Sequence, residues 1–185
     1  MELKRLKLDL HVHVFEEFVP GSPEAVTLRL VERIVEMVKE AGLDGIAITE
    51  HETIGYGYRV REMVAAHFSN EVLIIPGREV ETSHEHIIEL ELPFAGLPMF
   101  RFLAHPGFPA KPADHIKGMQ GIEIGNASHY WHIDKERVNE LAMKNNLLTL
   151  QNSDAHYLDR IGLCYNEIAL ETLRDACGEG ENPKS

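Results

Sequence analysis

Asp9, His11 and His13 occupy alternate positions of the segment DLHVH. In an extended strand residues i, i+2 and i+4 face one side, so the three side chains can converge, and HxH is a two-toothed chelate for a metal ion. A chain with 11 histidines produces an occasional HxH by chance. The weight comes from its company. TEH at 49–51, PGRE at 76–79, AHP at 104–106 and SDAH at 153–156 each place His, Asp or Glu just beyond a short apolar run. Taken singly, His51 reads as a helix-capping or core histidine, Glu79 as an exposed turn acid, His105 as a strand terminator and Asp154 as a helix N-cap. Together, five such segments describe a shared cluster of ligands. Neutral imidazoles and carboxylates suit Zn, Mn or Fe in mixed nitrogen and oxygen sites. The two cysteines, Cys164 and Cys177, form no CxxC pair, so histidines and carboxylates would hold any metal.

For these segments to meet, the chain must bring several strand ends to one place. Runs rich in Ile, Val and Leu alternate with longer amphipathic stretches, the pattern of strands and crossover helices in a parallel sheet or barrel. In such folds the strand C-termini share one rim, where loops build the active site. The expected strands are 6–12, 45–49, 72–75 stopping at Pro76-Gly77, 86–92, 101–104, 122–124, 147–150 and 167–170. The firmest helix is 23–41, where Val26, Leu30, Ile34, Val35 and Val38 recur at helical spacing and Gly42 marks a stop. Helices are also expected at 58–68 and 134–144. Gly55 and Gly57 lack the rest of a dinucleotide fingerprint and read as a rim loop.

A length of 185 residues suits one domain, expected over 1–177 with a flexible tail at 178–185. The formal charge is −12, from 18 basic and 30 acidic residues. That field disfavours a nucleic acid polymer as partner and leaves small substrates and cations. No apolar run resembles a signal peptide or a membrane span, so the expected location is the cytoplasm. The oligomeric state is not readable.

The ordered series DxHxH, a TDH-like segment, GxE after a strand, a histidine opening HIIEL, AHP and SDxH resembles the PHP family, the polymerase and histidinol phosphatase domain. The resemblance spans about residues 6–170 and implies a single-domain distorted (β/α)7 barrel with two or three divalent metal ions at its C-terminal rim. Carried over by position, it implies His11, His13 and Asp154 on a first metal, Glu79 bridging to a second held by His86 and His105, and His51 with His156 on a third. His84 is the rival of His86. The family's further ligand after DxHxH is replaced by FEEF, which leaves Glu17 or Glu16 as a displaced substitute. Glu50 stands where Asp is common and reads as a partner orienting a ligand. Asp154 and Glu79 are the expected catalytic carboxylates, and Arg78, Asn126 and Arg160 the substrate-binding candidates, with Lys111 as a further cation.

The implied chemistry is hydrolysis of a small phosphate monoester or nucleotide by a metal-bridging hydroxide. Two alternatives stand beside it: a barrel amidohydrolase acting on an amide or lactone, and a non-catalytic metal-binding module of the same fold. The cluster His129, Tyr130, Trp131 and His132 either shapes a substrate pocket or covers the core. His67 and His115 read as surface residues.

Overall fold

The computed structural model describes residues 3–15, 22–112 and 116–179. Eight strands form one sheet: β1 Leu6–Val12, β2 Gly45–Ile48, β3 Leu73–Glu81, β4 His86–Leu90, β5 Phe100–Ala104, β6 Gly121–Asn126, β7 Leu148–Asn152 and β8 Asn166–Ile168. Helices α1 Leu28–Glu40, α2 Gly55–His67, α3 Lys135–Asn145 and α4 Leu170–Glu179 accompany them. The strand order is β7-β6-β5-β4-β3-β2-β1-β8, and the sheet curls into a nearly closed barrel. Its open seam lies between β7 and β8, and asparagine side chains lace it. Asn166 Nδ2 donates to Gln151 O (3.0 Å) and to Asn152 Oδ1 (2.9 Å), and Asn166 Oδ1 accepts from Gln151 N (3.0 Å).

The sheet is mixed rather than parallel throughout. β1–β2, β2–β3, β5–β6 and β6–β7 run parallel, while β3–β4, β4–β5 and β1–β8 run antiparallel. Residues 82–85 join β3 to β4, too short a connection for the crossover that a parallel pair requires. The third strand also passes through Pro76-Gly77, where the sequence suggested a stop. Pro76 lacks an N–H, but its carbonyl accepts from Glu91 N at 2.8 Å. That continuation makes Glu79 a strand residue instead of a turn acid.

The expected helix at 23–41 splits. Ser22 caps a short 3-10 turn at Pro23–Ala25, Val26 and Thr27 are extended, and Thr27 Oγ1 accepts from Leu30 N at 3.3 Å to start α1. Thr27 wins as N-cap because its hydroxyl satisfies an amide that the helix leaves orphaned. Val26 and Val31 pack in the same core cluster, a hydrophobic staple across the cap. Gly55 and Gly57 belong to the first turn of α2 rather than to a loop. A Cβ on Gly57 would stand 2.6 Å from Pro76 Cα, so the glycine lets α2 lie directly on β3.

One core cluster fills the space between the sheet and α1 with α2, through Val31, Ile34, Val38, Ile46, Ile48, Val60 and Ile74. A second fills the barrel with Leu8, Leu10, Ala47, Ile75, Ile88, Leu90, Phe100, Phe102 and Leu150, joined by Leu173 and Cys177 of α4. Residues 178–179, expected in the tail, lie in α4, and 180–185 fall outside the described residues. This apolar filling supports a polar layer at one rim of the barrel. Among the described residues no helix is long and apolar enough to cross a membrane.

Candidate metal centre

β1 carries the first ligands through an irregularity. Its register against β2 shifts between Asp9 and Val12, and such a bulge re-aims the side chains on either side of it. Leu8 and Leu10 join the barrel interior, and His11 and His13 lie wholly buried beside Glu79. Asp9 does not share their face, contrary to the plain alternation. Its carboxylate accepts from Ser153 N (3.1 Å), Ser153 Oγ (2.5 Å) and Gly162 N (2.9 Å), which ties β1 to the loop bearing Asp154. Burial pushes the Asp9 carboxyl up to about 6, against the pull of these donors.

The other strand ends arrive as expected, with one reversal. His51 pairs with Glu79 in a parallel bridge beyond β2, His105 follows β5, and Asp154 follows β7. His86 reaches the same rim as the first residue of β4, because β4 runs antiparallel to its neighbours. His84 is exposed on the preceding turn, so His86 is the histidine that joins the cluster. His105 (φ +25°) and Asp154 (φ +52°) both hold positive backbone angles, the kind of local strain that collects at functional sites.

Glu79 is the hub. Its Oε2 lies 3.3 Å from His11 Nε2, 3.1 Å from His13 Nε2 and 3.6 Å from His51 Nδ1. Its Oε1 lies 2.9 Å from His86 Nδ1 and 3.2 Å from His105 Nε2. Asp154 Oδ1 stands 3.6 Å from Nε2 of both His11 and His13, and those two nitrogens are 2.9 Å apart. Among the described residues, four overlapping groups have ligand atoms close enough for a metal: His11–His13–Glu79, His11–His105–Asp154, Glu79–His86–His105 and His13–His51–His156. Ligands about 2.1 Å from a tetrahedral ion lie about 3.4 Å from one another. The observed 2.9–3.6 Å spacing fits that shell.

The charges point the same way. Burial alone would lower the His11 imidazole, but the carboxylates of Asp154, Glu123 and Glu79 outweigh it and hold His11 well above the usual histidine range. Burial, reinforced by the positive charge of His11, pushes His13 down to about 4. Burial would raise Glu79, yet His11 and hydrogen bonds from His105, His11 and His13 hold it well below the usual range. Three buried carboxylates thus gather around the positive charge of His11, and a divalent cation would satisfy the same carboxylates.

Sequence reasoning missed Glu123, which is fully buried on β6. Oε1 accepts from His11 Nδ1 (3.0 Å) and Asn152 Nδ2 (2.7 Å), and Oε2 accepts from His105 N (2.7 Å) and Asn126 Nδ2 (3.0 Å). With Nδ1–H donated to Glu123, His11 keeps Nε2 facing Glu79 and Asp154, where loss of the Nε2 proton would free a lone pair for a metal. A charged residue inside the apolar run GIEIGN was the available signal. Asn152 Oδ1 also accepts from Leu10 N at 3.0 Å, so the barrel seam and the ligand support are one network.

Several expected residues sit elsewhere. Arg78 points away from the centre and donates to Glu89 Oε2 through Nε (2.9 Å) and Nη2 (2.7 Å), because alternation puts it opposite Glu79. Asn126 is buried and supports the site, donating to Glu123 and Asp154 (3.2 Å) and accepting from Ser128 N and His129 N. It presents no free group to a substrate. Arg160 and Lys111 are exposed, Arg160 on the 3-10 turn Leu158–Arg160. Glu50 Oε1 accepts from Val14 N (2.7 Å) and Phe15 N (2.9 Å), holding the chain just past His13. Glu16, Glu17 and His115 lie outside the described residues, and His67 is exposed on α2.

A family model described as PHP-associated matches residues 132–178. Two solved structures share the fold. PsfC from Pseudomonas syringae has a TM-score of 0.63 at 19% identity, over 93% of this chain and 88% of its own. A proposed metal-dependent phosphoesterase from Bifidobacterium adolescentis has 0.62 at 14%, over 95% of this chain and 97% of its own. No curated protein matches the chain. The PHP-associated match covers about a quarter of the chain, and the two solved structures share its fold. The barrel fold is therefore common ground with proteins of very different sequence.

One glycine fixes the rim of this PHP-type barrel. Gly107 has φ +116°, and a Cβ there would stand 2.1 Å from His132 O. The loop after β5 thus lies directly on the 3-10 turn Tyr130–His132. Gly107→Ala is expected to destabilise the protein by about 2–4 kcal/mol, from backbone strain plus displacement of that turn. Denaturant melts check it, and a change under about 0.5 kcal/mol would show that the two loops are not locked.

Proposed function

We propose that the chain is a metal-dependent phosphoric ester hydrolase acting on a small phosphomonoester. The observation that carries this reading is the Glu79 carboxylate, whose two oxygens face two different sets of histidines. His11, His13, Glu79 and Asp154 would hold one divalent ion, Glu79, His86 and His105 a second, and His13, His51 and His156 a third. Zn, Mn and Fe all suit this donor set. When bound, such ions polarise phosphoryl oxygens and activate water at neutral pH.

The protein's own part is orientation and proton handling. Glu123 fixes the His11 tautomer, and Asp9 with Ser153 fixes the loop that carries Asp154. Asp154 is the catalytic carboxylate in this reading. Its Oδ1 faces His11 and His13, its Oδ2 accepts from Asn126 Nδ2 (3.2 Å), and either oxygen can take a proton from attacking water. Barrel amidohydrolases are the enzyme rival, since the same ligand chemistry serves carbonyl hydrolysis.

The test couples metal analysis of the purified chain with a screen of phosphomonoesters, amides and lactones. Bound divalent metal and turnover of phosphomonoesters, both lost in His11→Asn, are the expected result. Turnover confined to amides or lactones would overturn the reading, as would bound metal with no turnover at all.

A further inference from the structure

We infer that the centre serves phosphomonoesters whose leaving group carries a flat aromatic ring, held against a shelf formed by Phe108, His129, Trp131 and His132. The inference rests on the hydrolase reading and deepens it. Its starting point is a continuous run of ring contacts that begins in the ligand cluster and ends in solvent. His105, which faces Glu79, lies 4.5 Å from His129 between ring centroids. His129 stacks on Phe108 at 4.9 Å and 26°, Phe108 meets His132 at 5.2 Å, and His132 meets Trp131 at 5.5 Å. His129 Nε2 is also 3.7 Å from Asp154 Oδ2. An ester with its phosphate at the centre therefore has this surface as its neighbour.

The shelf does not serve the core. Trp131 is 63% exposed, Tyr130 66% and Phe108 37%, which settles against core covering for the two aromatic residues after His129. Large apolar rings left in water beside a candidate metal centre mark a binding surface. Their faces suit another π-face, through offset stacking. The shelf is also held in place, because Gly107 seats the Phe108 loop directly on the backbone of His132. Among the described residues, the ion partners of Glu79 and Asp154 are all histidines. Selectivity by ring stacking therefore adds no competing cation to the centre.

The ring could be a nucleobase or a simple aryl group, and matched pairs of probes separate them. Adenosine 5′-monophosphate with ribose 5-phosphate, and benzyl phosphate with cyclohexylmethyl phosphate, each share a primary alcohol leaving group and differ in the aromatic ring. Trp131 is the only tryptophan in the chain, so its fluorescence reports stacking on the full-length protein without turnover. Quenching by the aromatic member of a pair and not by its partner is expected. On the metal-loaded protein, the ratio of kcat/KM within a pair should favour the aromatic member about tenfold and fall towards one in Trp131→Ala and Phe108→Leu. A preference in the adenosine pair alone assigns a nucleobase, and one in both pairs assigns aromatic rings generally. Both outcomes support the inference.

Ratios near one without quenching would overturn the shelf while phosphomonoester turnover leaves the hydrolase reading intact. Quenching without turnover of any ester would do the reverse. Unchanged ratios in Trp131→Ala, with a fall in solution mass, would assign the face to self-association and overturn the inference. Trp131 is exposed, so its truncation leaves no internal cavity.

Discussion

Glu79→Gln is expected to strip metal from two ligand groups at once. Glu79 contributes one oxygen to the His11–His13 pair and the other to the His86–His105 pair. Glutamine keeps the shape but turns one oxygen into an amide donor facing imidazole nitrogens. Loss of partners outside the ligand shell already costs about 10–100-fold in metal affinity, so loss of a shared ligand should cost more than about 100-fold for both groups. His86→Asn, which touches one group, should weaken one. The metal-free protein should lose stability too, since Glu79 is one of three carboxylates that hold the His11 charge. Removing one partner of a buried charge cluster costs about 3–5 kcal/mol, here about 3 because Asp154 and Glu123 persist. At about 2–4 °C per kcal/mol for a chain of this size, Tm should drop by about 6–12 °C. Metal titration of the two variants checks the first part, and Glu79→Gln retaining both ions at wild-type affinity would refute the hub.

Most of the first layer of this site was legible in the sequence, because each ligand follows an apolar run that has to be a strand. The strand period then fixed which residues could aim inward. What the sequence hid were departures from regular strands. The shift in β1 sends Asp9 to Ser153 and Gly162 although it is two residues from His11. The continuation of β3 through Pro76 turned a nominal turn acid into the centre of the cluster. Antiparallel β4 delivered His86 from a strand start. Arg78 shows the opposite lesson: it adjoins Glu79 in sequence and for that reason faces the other side, pairing with Glu89. The asparagines of the seam were invisible because amide networks have no spacing rule. Asn152 and Asn166 earn their positions only once β7 and β8 lie side by side.

Glu123→Gln should reveal how much of the site depends on that hidden layer. The Glu123 carboxylate accepts from four donors and is fully buried. A glutamine amide points N–H groups at two of them, and each hydrogen bond lost to a charged acceptor is worth about 1.5–3 kcal/mol. The expected loss is about 3–6 kcal/mol in stability, with metal affinity down about 10–100-fold as His11 loses its anchor. A sign check adds a second readout. Burial would raise Glu123, but His11, His105 and the Asn126 hydrogen bond hold it below its ordinary 4.5 in the folded state. Its contribution is then fully present above about that pH and fades as pH falls through the lower folded value. The stability gap between wild type and Glu123→Gln should accordingly narrow in acid. Denaturant melts across pH measure it. A gap that is constant from neutral to acid pH would mean that the carboxylate charge does not support His11, and that Glu123 merely fills space beneath the ligands.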